Sequence, residues 1–90
     1  MKTVWKFPIN NIADYVTLDM PIGAKVLTVQ IQQGIPCIWA LVDTNTKTEH
    51  RRFRIAGTNH DLTDAIDRLK YVGSFQLASE TLMFHVFEWM

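Results

Sequence analysis

Alternation of apolar and polar residues between turn-forming residues is the feature that most constrains the fold of this chain. In residues 24–33, the apolar Leu27, Val29 and Ile31 alternate with polar residues. Successive side chains of a β-strand point to opposite faces, so this period of two predicts a strand with one buried and one solvated face. The next segment, 37–42, is apolar at both alternating sets of positions and predicts a central strand. A short connection containing Gly and Pro makes the two a β-hairpin.

The same kind of pattern predicts five further strands and one helix. The strand segments are 2–7, 15–20, 49–56, 71–77 and 82–89. Polar turns fall at 43–48 and 78–81. Around 61–69, Leu62, Ala65, Ile66 and Leu69 recur at helical spacing, which predicts a short α-helix of about two turns. We therefore expect one domain over residues 1–90, mainly β with about seven strands, as a small barrel or a two-layer sheet with that helix packed on it.

The charge balance of the chain bears on nucleic-acid binding and on self-association. Nine basic and nine acidic residues give a net charge of zero. Nucleic-acid binding through overall charge is therefore not expected, although a local basic patch is compatible with this composition. A near-zero charge also opposes self-association only weakly, and the last predicted strand is apolar on both faces apart from His85 and Glu88. That strand must be central or covered by another chain, so we expect a homo-oligomer.

The single cysteine and the absence of long apolar runs bear on location. Cys37 cannot form an internal disulfide, which suits a reducing compartment, and its apolar strand predicts a packing role. The N-terminal residues lack the pattern of a signal peptide, and no run approaches the length of about 20 apolar residues that a membrane helix needs. These features predict a cytoplasmic protein with no membrane partner.

The best candidate site is a basic strand that runs into a break in the chain. Arg51 and Arg54 precede Gly57, and Thr58, Asn59 and His60 follow it; all six are predicted ligand-binding residues. Free amide groups at the start of a helix attract anions, and guanidinium groups donate paired hydrogen bonds to phosphate. The segment predicts a site for a phosphate group or a nucleotide. The alternative is structural: Thr58 or Asn59 caps the helix, while the arginines face solvent or pair with Glu49, Asp43 and Asp61.

Other chemistry-bearing residues give weaker signals. Trp5 and Trp89 lie near the termini, where a partly exposed ring would stack on a base or contact a protein. His50, His60 and His85 show no metal-ligand spacing, so we predict neither a metal site nor a cofactor. The sequence also shows no nucleophile–base pair and no catalytic motif, so we predict no catalytic residue.

Several short motifs together span nearly the whole chain. They are Trp5-Lys6-Phe7-Pro8, Met20-Pro21-x-Gly23-Ala24, Val29-Gln30-x-Gln32-x-Gly34-x-Pro36-Cys37-x-Trp39-Ala40-Leu41-Val42-Asp43, Phe53-Arg54-Ile55-x-Gly57-Thr58-x-His60, Tyr71-x-Gly73-x-Phe75-Gln76 and Phe84-His85-Val86-Phe87-Glu88. This set resembles a family of small proteins encoded by bacteriophages and prophages, in which Gly is common at the position of Asn59. Asn tolerates a left-handed backbone better than most residues, so the turn can survive the change.

The resemblance implies a short phage accessory gene product that acts inside a bacterial host cell, and such products often antagonise host immunity by binding. Our first hypothesis is a non-enzymatic protein that sequesters a small anionic ligand or nucleotide, such as an immune messenger. The second is an inhibitor or adaptor that docks on a host or phage protein through its C-terminal strand or a sheet edge. A small nucleotide hydrolase is the third, and a protein with no ligand is the remaining alternative.

Overall fold

Seven β-strands account for most of the chain. The computed structural model describes residues 1–77 and 82–90, so the turn predicted at 78–81 lies outside the described residues. The strands are β1 (Lys2–Pro8), β2 (Tyr15–Pro21), β3 (Lys25–Gln32), β4 (Ile35–Asp43), β5 (Thr48–Gly57), β6 (Leu69–Gln76) and β7 (Met83–Trp89). A 3₁₀ turn at Ile66–Arg68 precedes β6.

The strands form two antiparallel sheets. The first sheet has the order β1-β4-β3 and the second has the order β2-β5-β7-β6. This confirms the mainly β fold and its two-layer form, whereas the barrel alternative is wrong because the sheet does not close. The β3–β4 hairpin is also confirmed. The C-terminal strand β7 lies between β5 and β6, so its apolar residues are covered within one chain.

The β3–β4 connection explains how these strands reach their register. Gln33 and Gly34 both have positive φ angles, 51° and 79°. A two-residue connection of this kind matches the right-handed twist of the flanking strands. Gly34 adopts a left-handed backbone without a steric penalty, which fixes Gln32 opposite Ile35.

The core lies between the sheets. Alternate residues of β4 and β5 point inward, and Ile38 and Phe53 are fully buried there together with Val86 of β7 and Met20 of β2. Ile9, in the connection after β1, is also among the largest fully buried side chains. Burial of apolar area at about 25 cal/mol per Å² is the main force that holds the two sheets together.

The two sheets approach each other most closely where β3 passes β6. The pairing register of β3 shifts between Val26 and Thr28, and that of β6 shifts between Tyr71 and Gly73. A Cβ atom on Gly73 would lie 3.0 Å from Val29 Cγ1, so only glycine fits this crossing without displacement of Val29. Both strands therefore carry a β-bulge at the seam, a feature that bends a strand and redirects its side chains.

The predicted α-helix around 61–69 is wrong. Asp61 Oδ1 accepts hydrogen bonds from the Thr63 amide at 2.9 Å and the Thr63 hydroxyl at 2.6 Å, which closes a local turn instead of a helical one. Ile66 is exposed, and Leu69 already belongs to β6, where it pairs with Trp89. A two-turn helix cannot form without packing, and the strand pairing of β6 is the stronger alternative.

Candidate ligand-binding sites

Arg51 is the inward-facing arginine of β5, and it is held by a buried carboxylate. Its Nε and Nη2 donate to the two oxygens of Glu88 on β7, the second at 3.0 Å, and its Nη1 donates to the carbonyl of Ala24 at 2.9 Å. Glu88 is only 6% exposed, and Glu49 lies 3.6 Å from Nη1. The hydrogen bond with Glu88 raises the pKa of Arg51 above its ordinary value despite burial, so the guanidinium stays charged.

A cavity of about 270 Å³ opens beside this ion pair at the β3–β6 seam. We call it the seam cavity. Its charged lining comprises Lys25 of β3, Lys70 of β6, Arg51 and Glu88, and Tyr71 stands among them. The apolar part of the lining includes Val26, Leu27, Val72 and Met90. Both bulges contribute to it, because Leu27 and Val72 are the extra residues at the two register shifts.

The electrostatics of the seam cavity favour an anion. Three cationic side chains line it against one carboxylate, and counting Glu49 beside Arg51 still leaves one surplus positive charge. Lys25 and Lys70 form no hydrogen bond or ion pair with any described residue, so their ammonium groups remain available. Such groups act as mobile donors to phosphate or carboxylate oxygens.

Arg54 points to the other side of β5 and is also bound by the protein. Its Nη1 donates to the carbonyls of Asp14 at 3.2 Å and Ile55 at 2.7 Å, and it lies 3.3 Å from Asp14 Oδ1. Arg54 lines a separate cavity of about 200 Å³ with Tyr15. Three carboxylates line it as well: Asp14, Asp61 and Asp64. This acidic rim disfavours a phosphate.

The turn after Gly57 is closed by its own histidine. The Gly57 amide donates to His60 Nδ1 at 3.2 Å, and the His60 amide donates to the Gly57 carbonyl at 3.1 Å. The His60 ring lies so close that a Cβ on residue 57 would meet it at 3.1 Å. Asn59 has a φ of 72°, the left-handed conformation that the sequence predicted for it. Gly57, Thr58 and His60 do line a third cavity, of about 310 Å³.

His85 is the centre of a polar network that sequence analysis missed. Its Nδ1 is hydrogen-bonded to Ser74 Oγ at 2.8 Å and its Nε2 to Thr58 Oγ1 at 2.8 Å, and Tyr71 Oη extends the chain through Ser74 at 2.8 Å. Residues 58, 74 and 85 are separated in sequence, and the pairing of β7 with both β5 and β6 brings them together. Both ring nitrogens are engaged with hydroxyl groups and none with a carboxylate, unlike the histidine of a catalytic triad.

Arginine and aromatic side chains share the outer face of the second sheet. The Arg52 guanidinium lies 4.1 Å from the Tyr15 ring centre and 5.0 Å from that of Trp89, and Arg68 lies 6.0 Å from Trp89. The Tyr15 and Trp89 rings meet edge to face at 5.9 Å. We call these residues, with Arg54, the arginine–aromatic face. Trp5 lies in the first sheet, 42% exposed and 6.4 Å from Phe7, and is not part of it.

The predicted site residues are therefore distributed over three places. Arg51 lines the seam cavity, Arg54 and Trp89 belong to the arginine–aromatic face, and Gly57, Thr58 and His60 share the third cavity. Alternation along β5 already implied that Arg51 and Arg54 face opposite sides. No local sequence pattern pointed to Lys25 and Lys70, because only the seam places both at one cavity.

Within the described residues, no group of three or more His, Cys, Asp or Glu side chains is placed to hold a metal ion. No helix in this part of the chain has the length and apolar character needed to cross a bilayer. Cys37 is buried and has no disulfide partner, as its apolar strand predicted.

The fold and these sites define a small two-sheet antiparallel β domain with surface cavities at strand junctions. The chain belongs to the family described as domain of unknown function DUF7352, whose model matches residues 1–90. Neither a curated protein nor a solved structure shows a significant match to it.

Proposed function

We propose that this protein is a non-enzymatic binding protein that captures a small phosphate-bearing molecule in the seam cavity. The observation that carries the proposal is the pair of unpartnered lysines, Lys25 and Lys70, beside Arg51 in one concave site. Small-molecule sites are concave, combine apolar walls with a few convergent polar groups, and bury most of the ligand. The seam cavity has these features.

Each charged residue that lines the seam cavity has its own role in the proposed binding. Glu88 fixes the plane of the Arg51 guanidinium through two hydrogen bonds, so the arginine is already oriented when a ligand arrives. Lys25 and Lys70 approach from opposite sheets and supply the contacts to phosphate oxygens. The ligand thus bridges the two sheets.

The cavity volume limits the size of the ligand. Ligand pockets usually measure about 300–1,000 Å³, so a cavity of about 270 Å³ lies just below the usual range. A nucleoside monophosphate or a sugar phosphate suits it better than a dinucleotide. A nucleotide-derived immune messenger would therefore be a small one, or would place only part of itself in the cavity.

The cellular role is proposed on the motifs quoted above. Their resemblance to small phage and prophage proteins supports an accessory protein that sequesters an immune messenger in the cytoplasm of a bacterial host. The unpaired Cys37 suits that compartment. Docking on a host or phage protein remains the second candidate, because Arg, Tyr and Trp are the residues that most often dominate protein interfaces.

A thermal-shift assay tests the proposal directly. A ligand at 100 times its Kd adds about 2.7 kcal/mol to the free energy of unfolding. Each kcal/mol raises the Tm of a domain of this size by roughly 4–8 °C. We expect at least one member of a panel of inorganic phosphate, nucleoside monophosphates and sugar phosphates to raise the Tm, and to be recovered unchanged after incubation.

Matched variants locate the binding. Lys25→Gln and Lys70→Gln should each weaken binding roughly tenfold or more, because a charged hydrogen bond contributes about 1.5–3 kcal/mol. Lys6→Gln removes the same charge from β1, the opposite edge strand of the first sheet, and should leave binding intact. No Tm shift at millimolar ligand, or equal shifts in all three variants, would disprove the proposal, and turnover of the ligand would show an enzyme instead.

A further inference from the structure

The arginine–aromatic face has a composition that the seam cavity does not explain. It lies on the outer side of the second sheet, whereas Lys70 and Glu88 point to the inner side of the same sheet. The face is therefore a separate surface.

The register of the second sheet places the aromatic and basic side chains in rows across four strands. Tyr15 of β2 pairs with Arg54 of β5, Arg54 pairs with Phe87 of β7, and Phe87 pairs with Tyr71 of β6. The Tyr71 and Phe87 rings meet edge to face at 5.6 Å. The row thus carries rings on β2, β7 and β6, with the Arg54 guanidinium between Tyr15 and Phe87.

The two arginines beside this band keep their donors free. Arg52 and Arg68 contact aromatic rings, but neither forms an ion pair or hydrogen bond with any described residue. A guanidinium group that rests on a ring still presents its N–H groups at its edge. By contrast, Arg51 and Arg54 have carboxylate neighbours, so Arg52 and Arg68 alone of these four can receive a phosphate without losing a partner.

We propose that the arginine–aromatic face binds single-stranded nucleic acid. An exposed β-sheet with aromatic rings on adjacent strands stacks unpaired bases, and flanking arginines contact the backbone. Asp14, Asp61 and Asp64 disfavour a phosphate at the Arg54 end of the face, so the phosphate contacts fall to Arg52 and Arg68. These two free guanidinium groups contact about two phosphates. The affinity is accordingly modest, and stacking carries much of it.

The dependence of the binding constant on salt concentration gives a quantitative test of this proposal. Each phosphate contact in a single strand contributes about −0.7 to the slope of log K against log salt concentration, so two contacts predict a slope of about −1.4. Fluorescence anisotropy with a labelled oligothymidylate of about ten nucleotides measures it. We expect single strands to bind more tightly than a duplex of equal length, because paired bases cannot stack on the sheet.

Variants assign the contacts. Arg52→Gln and Arg68→Gln should each reduce the slope to about −0.7 and weaken binding several-fold. Trp89→Phe keeps a ring and should retain most of the affinity. Lys6→Gln, outside the face, should leave both quantities unchanged. No binding at low salt, or a slope that Arg52→Gln and Arg68→Gln leave unaltered, overturns the proposal and leaves the face to a protein partner.

Discussion

Single residues in this protein have environments that make their replacement informative. Asn59 has a left-handed backbone in the turn after Gly57, and the Arg51–Glu88 ion pair is largely buried between β5 and β7. The sequence showed Arg51 as part of a basic strand facing a ligand, but the carboxylate that binds it is 37 positions away. No local pattern identifies a partner at that separation.

Substitutions at Asn59 test the strain in the turn after Gly57. Asn59 has a φ of 72°. Asn59→Gly should leave the free energy of unfolding nearly unchanged, because glycine adopts this conformation freely. Asn59→Val should lower it by about 1–2 kcal/mol, the usual penalty for a left-handed backbone at a residue with a Cβ. Urea denaturation compares the two, and equal stabilities would contradict the assigned backbone.

Removal of Glu88 should destabilise the protein strongly. Glu88→Ala leaves the Arg51 guanidinium, whose side chain is 17% exposed, with only the more distant Glu49 at 3.6 Å, and breaking a buried pair costs about 3–5 kcal/mol. The double variant Arg51→Met, Glu88→Leu should recover most of that loss, because an apolar pair of similar volume needs no counter-charge. If the double variant is as unstable as Glu88→Ala, the ion pair has another role than mutual neutralisation.

The hydrogen bonds that Asp61 accepts predict that the free energy of unfolding falls at acid pH. The Thr63 hydroxyl and amide lower the pKa of Asp61 below its ordinary value of 3.8 in the folded state. The stability from these hydrogen bonds is therefore complete above pH 3.8 and is lost as pH falls through the lower, folded pKa. Asp61→Asn should show a shallower loss of stability below pH 3.8, measured by the Tm over an acid series; an unchanged acid profile would contradict it.

At the scale of elements, strand pairing decided the fold and overrode local helical spacing. The positions of the strands followed from the period of two, because each strand has a buried inner face. The helix around 61–69 failed for the opposite reason: Leu62, Ala65 and Ile66 have helical spacing, but the second sheet recruits Leu69 into β6. The sequence also did not predict the bulges at the seam, because a bulge depends on the pairing with a neighbouring strand. Since these bulges line the seam cavity, the sequence did not predict the cavity either.

The crossing of β3 and β6 at Gly73 can be tested with a double-mutant cycle. Gly73→Ala places a methyl group 3.0 Å from Val29 Cγ1 and should lower the free energy of unfolding by about 1–3 kcal/mol through overpacking. With Val29→Ala present, the same change should cost much less, because the space is then free. Additive losses in urea denaturation would show that the two strands do not touch at this point.

At the scale of the whole molecule, two sheets provide two independent surfaces. The seam cavity depends on both sheets remaining together, while the arginine–aromatic face belongs to the second sheet alone. The ligand that we propose for the cavity would bridge Lys25 and Lys70, so its binding should stabilise the association of the sheets. Binding on the outer face should have no comparable effect on the seam.

Two-dimensional amide NMR of the protein titrated with a nucleoside monophosphate tests the central claim most directly. We predict saturable shifts of the amide signals of Gly23, Lys25, Lys70 and Tyr71, which surround the seam cavity. The Lys6→Gln variant should reproduce these shifts and Lys70→Gln should lose most of them. Signals at the seam that stay unmoved at millimolar ligand, or shifts confined to the turn of Gly57 and His60, would contradict the account.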